Sequence, residues 1–194
     1  FYNRGGDFNG PNKAPSIRPL NLTPGERADL LAFLRRPLTD PRVANAQAPF
    51  DRPVLYAQSA KQPSLYGQPT PGSQGFAPVL VAAEPPLTGS PSMTIGLDRG
   101  LGGAPAALIV DRLDDPFGSI IQGARCFLAM TAGHQQHGLL LDGAGPGTGT
   151  ASWSFAIPAN PALIGLTHYA QAFVQDPGSP GGLAATAAAE FVLF

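Results

Sequence analysis

The sequence predicts a mainly β protein: an antiparallel β-sandwich of about seven or eight strands, preceded by a short helical segment and an extended linker. Short apolar runs recur after residue 76 with Gly, Pro and Asp turns between them, a pattern typical of sandwich domains. Apolar and polar residues alternate in TASWSFAI and LTHYAQAFVQ, which predicts strands with one buried face. The only clear helical pattern lies in the first forty residues. We therefore divide the chain into residues 1–40, a linker over 41–75 and a β-sandwich over 76–194.

The helix is predicted in LTPGERADLLAFLRRPLTD. Thr23 suits the N-cap, Pro24 suits the first helical position, and Glu26 stands where it can close a capping box with Thr23. Pro37 is expected to end the helix. Because a helix this short is marginal alone, its apolar face must pack on another surface. The residues of that face are Leu30, Leu31, Phe33 and Leu34.

The linker is predicted from a segment rich in Pro, Gln and Ser that has no sustained hydrophobic periodicity. Its few large apolar side chains are expected to hold it against other surfaces. These side chains are Phe50, Leu55, Tyr56 and Tyr66.

Eight strands are predicted in the last part of the chain from short apolar runs between turn signals. This length is sufficient for a sandwich domain. The predicted strands cover residues 76–83, 92–98, 105–112, 124–131, 137–141, 150–157, 166–175 and 186–193.

Composition excludes several classes of function. The net charge of −1 gives no electrostatic argument for nucleic acid or for an acidic membrane surface as a partner. No apolar run reaches the roughly 18 residues that a membrane-spanning helix requires. The single cysteine, Cys126, cannot form a disulfide within the chain, and its apolar surroundings in GARCFLAM favour a buried hydrophobic role.

Three histidines are weak candidates for a metal site. His134 and His137 stand three residues apart in HQQH, and His168 follows further on. Imidazoles of this number can bind zinc. However, HQQH lies at a predicted loop-to-strand junction, so polar loop histidines are the favoured interpretation.

Aspartates give an equally weak signal for calcium, which prefers carboxylate and carbonyl oxygens. Asp142 lies in a Gly-rich loop, while Asp111, Asp114 and Asp115 cluster in DRLDD. Solvated turns between strands are the favoured alternative.

No catalytic residues are predicted. The sequence contains neither a phosphate-binding G-x-x-x-x-G-K-[ST] motif nor the G-x-S-x-G of a hydrolase nucleophile elbow. Trp153 lies in an alternating strand beside Phe155, and core packing is favoured over a sugar-stacking role.

Residues 1–56 resemble the C-terminal end of the bacterial di-haem cytochrome c peroxidase and MauG-like family. The resemblance rests on YNRGG, RPLNLT and the helix text ERADLLAFLRRPLTD, which occur here in the family's order. It implies that the haem-attachment motif C-x-x-C-H lies upstream. That motif does not occur in this sequence, so we expect haem c on the parent protein or on a separate N-terminal fragment. The resemblance also implies that Tyr2 and Arg4 lie close to the haem edge or its propionates, with a structural salt bridge as the alternative role for Arg4.

Residues from about 76 onward resemble, more loosely, a β-rich C-terminal extension of secreted proteins from environmental bacteria. The phrases that match are GLGGAPAALIVD, GTASWSFAIPANPALIGLTHYAQAFVQDP and AAEFVLF. This resemblance implies secretion and a sandwich fold, but no reaction.

Two functions follow as expectations. In the first, the chain is the non-catalytic C-terminal portion of a periplasmic or extracellular peroxidase-like oxidoreductase, and it packs on the haem-bearing part. In the second, the β-sandwich is an interaction or assembly module for cell-surface attachment or oligomerisation, without a redox role.

Overall fold

A computed structural model describes residues 2–6, 10–35, 40–53, 55–59 and 61–194, with Tyr2 described by its backbone only. The chain divides into two compact units, Phe1–Val54 and Leu55–Phe194.

The first unit contains the predicted helix, α1, over Pro24–Arg35. The capping box is confirmed: the Thr23 backbone N–H donates to the Glu26 carboxylate at 2.8 Å, and the Glu26 N–H donates to the Thr23 hydroxyl at 3.3 Å. These bonds hold the pKa of Glu26 below its usual value. The predicted helix end at Pro37 lies outside the described residues.

Two short elements flank α1. A second helix of one turn, α2, covers Pro41–Ala44 and is capped by the Asp40 carboxylate, which accepts from the Arg42 N–H at 2.8 Å. Before α1, the Asn3 carboxamide accepts from the Leu22 N–H at 2.6 Å and donates to the Leu22 carbonyl at 3.3 Å. Asn3 therefore holds the turn over Tyr2–Arg4 against the start of the helix.

The described residues of the second unit form eleven strands. Their bounds are β1 Ser64–Tyr66, β2 Val79–Val81, β3 Met93–Gly102, β4 Pro105–Asp111, β5 Asp114–Ile121, β6 Ala124–Leu128, β7 Gln135–Leu140, β8 Gly145–Phe155, β9 Thr167–Gln175, β10 Leu183–Ala185 and β11 Ala188–Val192.

The strands form three antiparallel sheets. The central sheet has the order β1-β11-β9-β4-β7, and β10 also pairs with β9. The second sheet has the order β2-β3-β8, and β5 pairs with β6 in a hairpin. The prediction of a mainly β, antiparallel, sandwich-like fold that follows a short helix in the sequence is confirmed.

The central sheet is covered on both faces. One core cluster joins it to the second sheet through side chains that include Ile95, Leu108, Trp153 and Val174. A smaller cluster joins its other face to β6 through Ile109, Cys126, Leu128 and Phe173. The second unit is therefore a three-layer structure, which explains why β9 is buried on both faces.

Gln171 of β9 fixes the third layer. Its side chain is fully buried, its carbonyl oxygen accepts from the Phe127 N–H at 2.8 Å, and its amide donates to the carbonyls of Arg125 and Thr186 at 2.9 and 2.8 Å. A buried amide is tolerated here because its oxygen and its nitrogen are both hydrogen-bonded.

The structure adds three strands to the eight predicted from sequence. β1 lies inside the predicted linker, where Tyr66 packs edge-on against Phe127 and Tyr169. β5 contains Pro116 and Gly118, residues that disfavour strands in a local pattern but are tolerated in an edge hairpin with a bulge. β10 is only three residues long. Residues 64–75 therefore belong to the β unit. They have no hydrophobic periodicity that would predict a strand, but they pair with strands that are distant in the sequence.

Candidate functional site

A cleft of about 570 Å³ lies between the central and second sheets of the second unit. It lies at the end of the sandwich where β4 and β8 finish and where β3 and β9 begin. The register places Met93 opposite Phe155 and Asp111 opposite Tyr169 at this end. Its apolar lining includes Met93, Ile95, Val110, Phe155, Phe191 and Leu193.

Two histidines line the cleft from different strands. The Nε2 atom of His137 and the Nδ1 atom of His168 are buried, and neither has a hydrogen-bond partner among the described residues. The His137 ring packs edge-on against the Phe155 ring, with 4.8 Å between the ring centroids. The His168 ring stacks on the Phe191 ring, with 5.9 Å between the centroids. Aromatic packing therefore fixes both rings while leaving one nitrogen of each unsatisfied.

The two histidines are far apart along the central sheet. His137 on β7 pairs with Leu108, whereas His168 on β9 lies one step beyond the Asp111–Tyr169 pair, on the other side of β4. Strand spacing and rise put their Cα atoms roughly 16 Å apart. One metal ion or one small polar group is therefore too small to contact both.

Burial lowers the pKa of His168; a hydrogen bond with the Leu166 backbone opposes this effect, and the positive charge of Arg112 adds to it. The imidazole is accordingly neutral at neutral pH, with one ring nitrogen protonated and the other able to accept. It can exchange hydrogen bonds with a ligand without adding a buried charge.

Asp111 and Arg112 are the charged residues among those that line the cleft. Asp111 is buried, and its carboxylate accepts from the Arg112 N–H at 2.7 Å, the Thr131 N–H at 2.7 Å and the Thr131 hydroxyl at 2.6 Å. Burial alone would raise the pKa of Asp111, but the hydrogen bonds from Thr131 and the backbone outweigh it and lower the pKa. The Arg112 side chain, in contrast, is exposed at the mouth of the cleft.

The structure brings together only some of the predicted metal-ligand candidates. Asp111, His137 and His168 line the cleft, whereas His134, Asp114, Asp115 and Asp142 do not. Over the part of the chain that the structure describes, no three His, Cys, Asp or Glu side chains lie close enough to hold a metal ion.

The remaining candidates make local contacts or are exposed, and Asp114 and Asp115 are the first residues of β5. Asp115 accepts from the Ser119 hydroxyl at 2.6 Å, His134 Nδ1 lies 2.7 Å from the Thr131 carbonyl, and Asp142 is exposed. His134 therefore lies in a loop, whereas Asp114 and Asp115 belong to a strand. Trp153, also weighed as a binding residue, is buried in the core as predicted.

The predicted haem-edge residues lie in the first unit. Tyr2 begins the turn over Tyr2–Arg4, and its side chain lies outside what the structure describes. The Arg4 side chain is exposed at the end of that turn. Their proximity to haem stays a prediction.

Arg112, Phe155 and Phe191 are cleft residues that are not among the sequence-predicted sites. The sequence marks strand ends, for example where Arg112 follows PAALIVD, but pairing between distant strands decides which ends meet. No local pattern could have identified this set.

A second unusual surface lies on α1 in the first unit. Leu30, Leu31, Phe33 and Leu34 are 42%, 47%, 52% and 51% exposed, and no residue of the helix is buried. Burial of each such side chain contributes about 1.5–3 kcal/mol of stabilisation. This apolar surface is therefore a candidate contact site.

Comparisons with known proteins give no identification. No protein-family model matches this chain, and neither a curated protein nor a solved structure matches it. None of the helices that the structure describes has the length and apolar character needed to cross a membrane.

Proposed function

We propose that this chain is the non-catalytic C-terminal portion of a secreted, di-haem cytochrome c peroxidase-like oxidoreductase. In this proposal α1 packs on the haem-bearing part, which carries haem c and the redox chemistry. The β unit is then presented in the periplasm or outside the cell.

The exposed apolar surface of α1 is the observation that carries the proposal. The helix has only 12 residues, a length at which helices in water are marginal without tertiary packing. Its N-terminus is satisfied by the Thr23–Glu26 capping box, yet its large apolar side chains remain exposed. A helical partner surface would supply the missing packing, and the resemblance of residues 1–56 to a haem-domain terminus indicates which partner to test.

The first experiment is an intact mass and a visible absorption spectrum of the full chain purified through an affinity tag from its native host. We expect a Soret band and a co-purifying chain that carries a C-x-x-C-H haem peptide. A colourless sample at the 20.0 kDa mass of this chain would contradict the haem-related proposal.

Matched helix variants localise the contact. Leu30→Asp and Leu34→Asp place a charge on the apolar surface, whereas Ala32→Asp places the same charge on the opposite side of the helix. We expect the first two to lose the Soret absorbance and Ala32→Asp to retain it. Equal loss or equal retention in all three variants would exclude α1 as the contact site.

A second candidate function is an assembly module formed by the β unit. The observation that favours it is a set of strongly exposed apolar side chains on the hairpin and on edge strand β7: Phe117 is 87%, Ile120 63% and Leu140 70% exposed. Such residues are typical of contact surfaces. Sedimentation of the full chain should then show an oligomer that Phe117→Ser dissociates and that Ile164→Ser, a change at another exposed position, does not. A monomer in both cases would contradict self-assembly.

A further inference from the structure

We propose that the cleft of the second unit binds an elongated, mainly apolar carboxylic acid that carries a second polar group near its far end. The carboxylate lies beside Arg112 and His168, the hydrocarbon body lies between the two sheets, and the second polar group meets His137.

The shape and lining of the cleft select the apolar body. Its volume of about 570 Å³ is within the range of roughly 300–1,000 Å³ usual for small-molecule sites. Met93, Ile95 and Leu193 belong to the buried core, and Phe155 packs against it. A hydrocarbon chain placed there extends the core that joins the sheets.

The charged groups at the cleft favour a carboxylic acid as the ligand. Both oxygens of Asp111 are occupied by hydrogen bonds from Thr131 and from the Arg112 backbone. The Arg112 guanidinium, in contrast, makes no hydrogen bond or ion pair within the described ranges. Its five donors match a carboxylate in bidentate geometry.

The two histidines explain the length and the second polar group. A buried nitrogen without a hydrogen bond is destabilising, and each histidine of the cleft contains one. The histidines lie on opposite sides of β4. An elongated ligand satisfies both, with its carboxylate at His168 and a hydroxyl or carbonyl at His137.

The test uses decanoate, 10-hydroxydecanoate and decanol as probes with the full chain. Binding is measured by calorimetry and by fluorescence of Trp153, the single tryptophan. Trp153 precedes Phe155 by two residues on β8 and faces the same interior. We expect decanoate to bind at a one-to-one ratio, 10-hydroxydecanoate to bind more tightly, and decanol to bind more weakly.

Variants test which residue binds each end of the ligand. Arg112→Gln should weaken decanoate about tenfold and leave decanol unchanged, while the matched Arg99→Gln, outside the cleft, should change neither. His137→Phe should abolish the preference for 10-hydroxydecanoate over decanoate. Because this replacement removes an unsatisfied nitrogen and keeps an aromatic ring, the melting temperature should stay the same or rise.

Three results would overturn the proposal. One is no binding of either acid below its micellar concentration. Another is equal binding of decanoate and decanol that Arg112→Gln does not change. The third is a large loss of stability in His137→Phe, which would make the histidine a structural residue. Since the cleft lies within the second unit, failure of the α1 docking proposal leaves these outcomes unaffected.

Discussion

Buried polar side chains in the β unit fall into two groups. Asp111, Gln171 and Asp176 have their polar atoms hydrogen-bonded and hold loops or layers together. The second group has a buried nitrogen without a partner in the described part of the chain: Trp153 in the core, and His137 and His168, which line the cleft. Because native proteins rarely leave such atoms unpaired, the two histidines, which combine an unpaired nitrogen with a place in the cleft, indicate binding, whereas the first group indicates structure.

Asp176 should make stability depend on pH. Its buried carboxylate accepts from the Ser73 N–H at 2.8 Å, from the Ser73 hydroxyl and from the Gly178 N–H at 2.9 Å. Burial alone would raise the pKa of Asp176, but these bonds outweigh it and lower the pKa below its ordinary value of 3.8. The stabilisation is therefore complete above the unfolded-state pKa and is lost as pH falls through the lower folded-state pKa. We expect Asp176→Asn to reduce the free energy of unfolding by about 2 kcal/mol at neutral pH.

Urea unfolding of wild type and Asp176→Asn, measured from neutral pH down to about pH 2, tests this dependence. The difference between the two proteins should shrink only below pH 3.8. Asp142→Asn is the control, because Asp142 is exposed and its replacement should change stability by less than about 0.5 kcal/mol. A pH-independent difference for Asp176→Asn would show that the carboxylate charge contributes nothing.

At the scale of elements, the β5–β6 hairpin depends on one tight turn. Gln122 and Gly123 both have positive φ, 45° and 79°, as a two-residue hairpin turn of the type I′ class requires. The turn packs against the β9–β10 connection so closely that a Cβ on Gly123 would lie 2.0 Å from the Pro180 carbonyl oxygen. The hairpin therefore needs glycine for both conformation and space.

Gly123→Ala should lower the free energy of unfolding by roughly 3 kcal/mol, since left-handed backbone strain and a backbone clash add together. Gly75→Ala is the matched control: its φ is 77°, but nothing lies within 4 Å of the added Cβ. That control should cost only about 1–2 kcal/mol. Both values come from urea unfolding followed by Trp153 fluorescence, and equal costs would exclude the clash.

At the scale of the whole molecule, the chain forms two compact units that divide after Val54. Of the elements that the structure describes, the β unit contains both hydrophobic clusters and every strand. The described residues of the first unit bury little: no residue of α1 or α2 is buried.

Residues 55–194 should therefore fold alone. We expect this fragment to unfold cooperatively in urea, with a midpoint and a Trp153 fluorescence change equal to those of the full chain. The complementary fragment of residues 1–54 should show weak helical circular dichroism because α1 lacks packing. A β fragment without cooperative unfolding would show that the first unit contributes to the core.

The sequence by itself determined the features that depend on neighbours along the chain. Thr23, Pro24 and Glu26 define the start of α1, and alternation defines β8 and β9, because hydrogen bonds within one turn and side-chain direction within one strand are local. The apolar run around Cys126 likewise predicted its burial, which the structure confirms at 0% exposure.

Only the tertiary structure decided what depends on pairing between distant residues. β1 exists because Ser64–Tyr66 pairs with β11, and β9 is covered twice because β6 folds onto its second face. The cleft forms because the antiparallel register brings Arg112, His168 and Phe155 to the same end of the sandwich. Register and layer order are set by long-range packing, so no local pattern in the sequence contains them.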